Sequence, residues 1–295
     1  MPSPQLQGTL FKYGWGSANV AFKSGSGAKA AIVLGGLTDG FFCCRYVEPL
    51  ARALEQEGVS VVQTLLSSSY QMYGTSSLDR DAEELAQLVR HLKSDAGVTD
   101  YGIVGHSTGC QDAVTFVRHC LKDGEIEKPR FVVLQAPVSD RESLDMSPST
   151  WKSIDVAREL ISRAQGEDER DKVLMPHSTQ EDGAPITARR FLSLATRGGD
   201  DDVFSSDFTD EELRSAVGHM EGVPTLVLQS GADEYIPRSV DAKGLAERLA
   251  GAMGGTAAAR TIEGAGHALA EHVAEAVEII SGFVRGALSG DADDA

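Results

Sequence analysis

Residues 101–110 read YGIVGHSTGC and run on into QDAVTFVRHCL (111–121). The first half is short, apolar and β-branched, which suits a strand buried on both faces. The second half spaces its apolar residues as a helix does. Between them stands Gly105-His106-Ser107-Thr108-Gly109, a G-x-S-x-G pattern at a strand-to-helix junction. A serine there is lifted above the sheet by a turn so sharp that flanking side chains would collide, and glycines remove them. The amide of Thr108, in the first turn of the helix, has no internal acceptor and is free to donate to a developing oxyanion.

Outward from this junction, further strand-like runs recur: AAIVL (30–34), VSVVQTL (59–65), RFVVLQ (130–135), PTLVLQ (224–229) and AARTIE (258–263). Helical spacing fills the intervals at Asp79 to Ser94, Ser239 to Met253 and Ala268 to Leu288. Strand alternating with helix implies a mostly parallel sheet. Before residue 28, aromatic and β-branched positions broken by glycines predict an antiparallel edge hairpin. The alternation stops between Arg141 and Gly222, where helix-like pieces such as WKSIDVARELISRAQ (151–165) are separated by polar, Gly- and Asp-rich connections. This insertion reads as a cap over the strand ends where open α/β sheets bind ligands, the other reading being a small independent domain.

A serine hydroxyl is a weak nucleophile until a base takes its proton, so the pattern requires a histidine and a carboxylate at later strand ends. PTLVLQ runs into SGADEYIP, with Asp233 just beyond the strand, and AARTIE runs into GAGHAL, with His267 on the next loop. Glu234 competes with Asp233 for the acid role, but two adjacent side chains cannot both point at one imidazole, and Asp233 is favoured. The order Ser, Asp, His is that of the α/β-hydrolase fold. The expectation is therefore an α/β fold of that kind, a mostly parallel sheet flanked by helices. Residues 1–140 and 223–289 form the core, 141–222 an inserted helical cap, and 290–295 an acidic tail.

The second oxyanion donor belongs to the loop after AAIVL, which reads Gly35-Gly36-Leu37-Thr38-Asp39-Gly40, and the amide of Leu37 is best placed to partner that of Thr108. Asp39 reads as a loop brace that accepts backbone amides. His106 is expected to point away from Ser107 into packing, and Cys110 to be a buried, inert thiol. Asp200 to Asp202 lack the spacing of a calcium loop and read as solvated cap.

The 44 acidic against 27 basic side chains give a formal charge of −17, which disfavours nucleic acid and anionic membrane surfaces as partners. No stretch approaches the roughly 20 apolar residues of a membrane span, and the N-terminal residues do not form a secretory signal. Four cysteines are too few for a disulfide scaffold and none has zinc-ligand spacing with histidine, so the expectation is a cytoplasmic protein with reduced thiols and no metal.

Several stretches are longer and less generic than the serine turn: LGGLTDGFF (34–42), LLSSSYQMYGTSSLDRDAEEL (65–85), GHSTGCQDAV (105–114), LQAPVSDRES (134–143), DDDVFSSDF (200–208) and SGADEYIP (230–237). In these the chain resembles a eukaryotic family of α/β-hydrolases, formerly of unknown function, that includes fungal esterases cleaving fusarinine-type hydroxamate siderophores. The resemblance implies a serine esterase whose catalytic residues fall on Ser107, Asp233 and His267, acting without a cofactor on a small-molecule ester, with a siderophore as the implied substrate. A thioesterase or amidase would use the same three residues. The rival of another class is a non-catalytic binder of small molecules, against which stands the presence of nucleophile, base and orienting acid together.

Overall fold

The computed structural model describes residues 3–177 and 183–289; the acidic tail expected at 290–295 lies outside them. Its centre is an eight-stranded sheet in the order β1-β2-β4-β3-β5-β6-β7-β8. In chain order these are Gly8–Lys12, Val20–Ser24, Lys29–Leu34, Val59–Leu65, Asp100–His106, Val132–Gln135, Thr225–Ser230 and Ala257–Ile262. From β4 to β8 every pairing is parallel, while β1 and β2 form the antiparallel hairpin expected at the edge. Each run read as a strand in the sequence is one.

The helices are α1 (Val47–Gln56), α2 (Leu78–Ser94), α3 (Gly109–Asp123), α4 (Asp140–Asp145), α5 (Thr150–Arg163), α6 (Glu167–Lys172), α7 (Ala188–Ala195), α8 (Asp210–Val217), α9 (Ala242–Met253) and α10 (Val273–Ser289). Local chemistry sets their ends. The Ser77 hydroxyl accepts the amide of Arg80 to start α2, which carries Asp79 and Asp81 in its first turn and His91 and Lys93 in its last, as the helix dipole favours. Thr209 and Glu212 cap α8 reciprocally. The α9 and α10 helices start later than their periodicity suggests. Asp241 caps α9 by accepting the amide of Gly244, and before α10 Leu269 takes a left-handed φ of 54° that no helix continues through.

Successive side chains along a strand face opposite sides of the sheet, and in β3 this sends Ala30, Ile32 and Leu34 to one apolar cluster and Ala31 and Val33 to another. The first cluster is closed by α2, α3 and α9, the second by α1 and α10. Both faces being dry explains why the strands read as continuous apolar runs. A third cluster gathers Ile154 and Ala157 of α5, Phe191 and Leu194 of α7, and Tyr73. Phe204, Phe208, Leu213 and Val217, also within 141–222, pack instead into the first cluster.

Candidate active site

The strand β5 ends at His106 and α3 begins at Gly109, leaving Ser107 and Thr108 to make the turn. Ser107 sits at φ 55°, a left-handed conformation that costs a residue with a side chain about 1–3 kcal/mol. Two backbone hydrogen bonds hold it there: Ser107 N–H donates to Gln135 O at 3.0 Å, and Cys110 N–H donates to Ser107 O at 2.8 Å. The turn closes against β3 so tightly that a Cβ on Gly109 would lie 2.6 Å from the carbonyl oxygen of Leu34. The loop after β3 comes equally close: a Cβ on Gly36 would stand 2.6 Å from Cβ of Ser107. Asp39 braces that loop, its Oδ2 accepting Gly36 N–H at 2.9 Å. Burial pushes the Asp39 carboxyl above its usual range, against the lowering effect of that amide.

Asp233 and His267 leave β7 and β8 on adjoining loops. His267 Nδ1–H donates to Asp233 Oδ2 at 2.8 Å, and the Asp233 side chain is fully enclosed. Its other oxygen, Oδ1, accepts Tyr235 N–H at 3.0 Å. Glu234 turns the other way and accepts the backbone N–H of His267 at 2.9 Å. Burial is the largest single influence on the Glu234 carboxyl and raises it, but the His267 amide, its own backbone N–H and the charge of the His267 ring together outweigh burial and hold the group below its ordinary value. The two adjacent carboxylates thus divide one histidine, Asp233 taking the ring and Glu234 the main chain. The His267 ring lies between Tyr235 and His106, with centroids 4.6 and 4.8 Å away.

A cavity of about 530 Å³ opens here, and Ser107, His267, Leu37 and Thr108 all line it. Among the described residues the amides of Leu37 and Thr108 donate to no protein acceptor. Every residue singled out in the sequence as catalytic or as an oxyanion donor therefore borders this cavity, except Asp233, which lies behind His267.

Two sequence readings differ, and one residue was missed. His106 is buried as expected but does not turn away: strand alternation gives out where Ser107 enters the left-handed turn, and the ring instead packs at a tilt against His267 and lines the same cavity. Its Nδ1–H donates to Gln135 Oε1 at 2.6 Å. Burial, reinforced by the neighbouring His267, pushes the His106 imidazole down to about 3, so it is uncharged. Asp201 and Asp202 are not solvated; they are buried and paired with Arg190 and Arg141. Gln135 escaped notice altogether. From the end of β6, its Nε2–H donates to His267 O at 3.0 Å while its Oε1 holds His106, joining three of the strand ends that build the site. The signal was a polar residue closing the apolar run FVVL. Cys110 is the inert thiol expected, its pKa raised by burial.

Over residues 1–287 the sequence matches the family described as Protein of unknown function (DUF1749). The chain belongs to this family. An esterase of Emericella nidulans is 31% identical, the match covering 84% of this chain and 80% of that protein. The fusarinine C esterase SidJ of Aspergillus fumigatus is also 31% identical, over 74% of each chain. Among solved structures, the siderophore hydrolase EstB of Aspergillus fumigatus superposes with a TM-score of 0.78 at 28% identity, covering 100% of both chains. The fold is that of the α/β-hydrolases, as expected.

Proposed function

We propose that the protein is a serine carboxylic-ester hydrolase with Ser107 as nucleophile, His267 as general base and Asp233 as the acid that orients it. The observation carrying this reading is the His267–Asp233 hydrogen bond beside a serine held in a left-handed turn, all at one cavity. With Nδ1–H committed to Asp233, the free Nε2 lone pair of His267 is the base. It takes the proton of Ser107 as Oγ bonds to the ester carbonyl carbon. The amides of Leu37 and Thr108 receive the oxyanion, each worth about 3 kcal/mol in the transition state. The alcohol leaves with the proton that His267 returns, and water, deprotonated by the same nitrogen, releases the acid from Ser107.

The segment 141–222 acts as the cap, supplying residues of α4, α5 and α7 to the cavity wall. The substrate is a small-molecule ester, and the names of the two Aspergillus fumigatus relatives favour a siderophore. The four cysteines are free thiols, which suits a cytoplasmic setting. Among the described residues no helix is long and apolar enough to cross a membrane.

Ser107→Ala should abolish both ester turnover and labelling by a fluorophosphonate probe, with Tm close to wild type. Labelling that persists in the variant refutes the assignment. A hydrolysis screen pairing hydroxamate siderophores with nitrophenyl esters of graded length tests the substrate, and activity confined to simple esters would remove the siderophore reading.

A further inference from the structure

The cavity beside Ser107 has a mixed lining. Leu37, Leu144, Phe191 and Leu194 are its apolar part. To these the corner between α4 and α5 adds Ser143, Ser147, Ser149, Thr150 and Ser153. A run of hydroxyls from one short segment is not what a hydrocarbon pocket requires, since each must be satisfied when water leaves.

Their own bonding separates them. Thr150 Oγ1–H donates to Leu144 O at 2.6 Å, and the hydroxyls of Ser147 and Ser149 pair at 2.9 Å. The hydroxyls of Ser143 and Ser153 engage no other group among the described residues, although a helical serine has a carbonyl one turn back within reach. Both are half-buried, so a substrate filling the cavity takes their water away. Neither lysine nor arginine lines this cavity, and its carboxyl groups are Asp39 and Asp140.

We propose that Ser143 and Ser153 form a specificity subsite for an uncharged, acceptor-rich part of the ester, such as an ether, amide or hydroxyl-bearing chain. The inference rests on the hydrolase reading and adds the substrate class. Each serine donates one hydrogen bond to a substrate oxygen. A carboxylate at the same place finds two hydroxyls but no countercharge, and faces Asp39 and Asp140.

Two nitrophenyl esters with acyl chains of equal length provide the test, one of (methoxyethoxy)acetic acid and one of heptanoic acid, with the mono-ester of adipic acid as the anionic member. One net neutral hydrogen bond corresponds to about a five-fold effect, so Ser143→Ala with Ser153→Ala should lower the diether-to-heptanoate ratio of kcat/KM about twenty-fold. The loss should appear in KM, with the heptanoate ester within about three-fold of wild type. Each single variant should give about five-fold, and Ser153→Thr, which keeps the hydroxyl, should retain the wild-type ratio. Wild type should turn over the adipate mono-ester least. An unchanged ratio with both esters still turned over overturns the subsite alone, as does an adipate ester cleaved as fast as the diether. A wild-type protein that cleaves none of the three overturns the hydrolase reading together with it.

Discussion

At the scale of single residues, the two adjacent carboxylates make opposite predictions. Asp233 accepts the Nδ1–H of His267. An asparagine there can present its NH₂ to Nδ1, which would move the imidazole proton to Nε2 and remove the base, so Asp233→Asn should lower kcat about 10⁴-fold with little change in Tm. Glu234 only receives the main-chain N–H of His267. Glutamine keeps an acceptor in place, so Glu234→Gln should stay within about ten-fold of wild type. Steady-state kinetics on one nitrophenyl ester distinguishes them, and equal losses would refute this division of roles. The sequence put Ser107, Asp233 and His267 at strand ends because alternation and chain order are periodic properties that one dimension records. It favoured Asp233 for the acid role but could not give Glu234 its main-chain partner, nor turn His106 towards His267, because both depend on the backbone directions of irregular turns.

At the scale of elements, the strands were legible because a sheet covered on both faces writes itself as uninterrupted apolar runs. The helix starts were less so. The loop carrying His267 has helix-compatible residues, and Leu269 leaves the helical path for a reason its own side chain does not announce. The junction of β5 and α3 is the element on which the site depends, and it has little room to relax. Gly109→Ala would drive a Cβ to 2.6 Å from Leu34 O and 2.7 Å from Gly35 O, both backbone atoms that cannot swing aside. The expected cost is about 1–3 kcal/mol of stability, read by urea unfolding. Activity should fall further than stability alone explains, because the displaced Gly35 leads directly into Gly36 and Leu37. A variant with wild-type midpoint and wild-type kcat would show that the contact is not constraining.

At the scale of the whole molecule, the least legible feature is a charge network joining α7 to α2, α3 and α4. Arg190 of α7 donates to Tyr73 O at 3.1 Å and pairs with Asp201, while Asp81 of α2, Asp112 of α3 and Asp140 at the head of α4 also act on it electrostatically. These residues are scattered over 120 positions of sequence, from Asp81 to Asp201, and nothing in composition marks them as buried partners. One guanidinium cannot balance four carboxylates drawn from the water around it, so the native state keeps protons on some of them. Burial is the main cause: it pushes Asp81 and Asp140 each up to about 7, with Arg190 opposing. The sign follows directly. Both groups hold their proton in the folded protein at a pH where the unfolded chain, with an ordinary carboxyl near 4, has released it. Their contribution to stability is thus fully present below about pH 4 and is lost as pH rises through about 7, at about 1.4 kcal/mol per pH unit for each proton retained. Unfolding free energy measured in urea should therefore be lower at pH 7.5 than at pH 5.5. Asp140→Asn mimics the protonated acid and can still accept the Nε2–H of Gln111, which lies 2.7 Å from Asp140 Oδ2. It should raise stability at pH 7.5 and flatten the slope, and a slope equal to wild type would remove Asp140 from the titrating set.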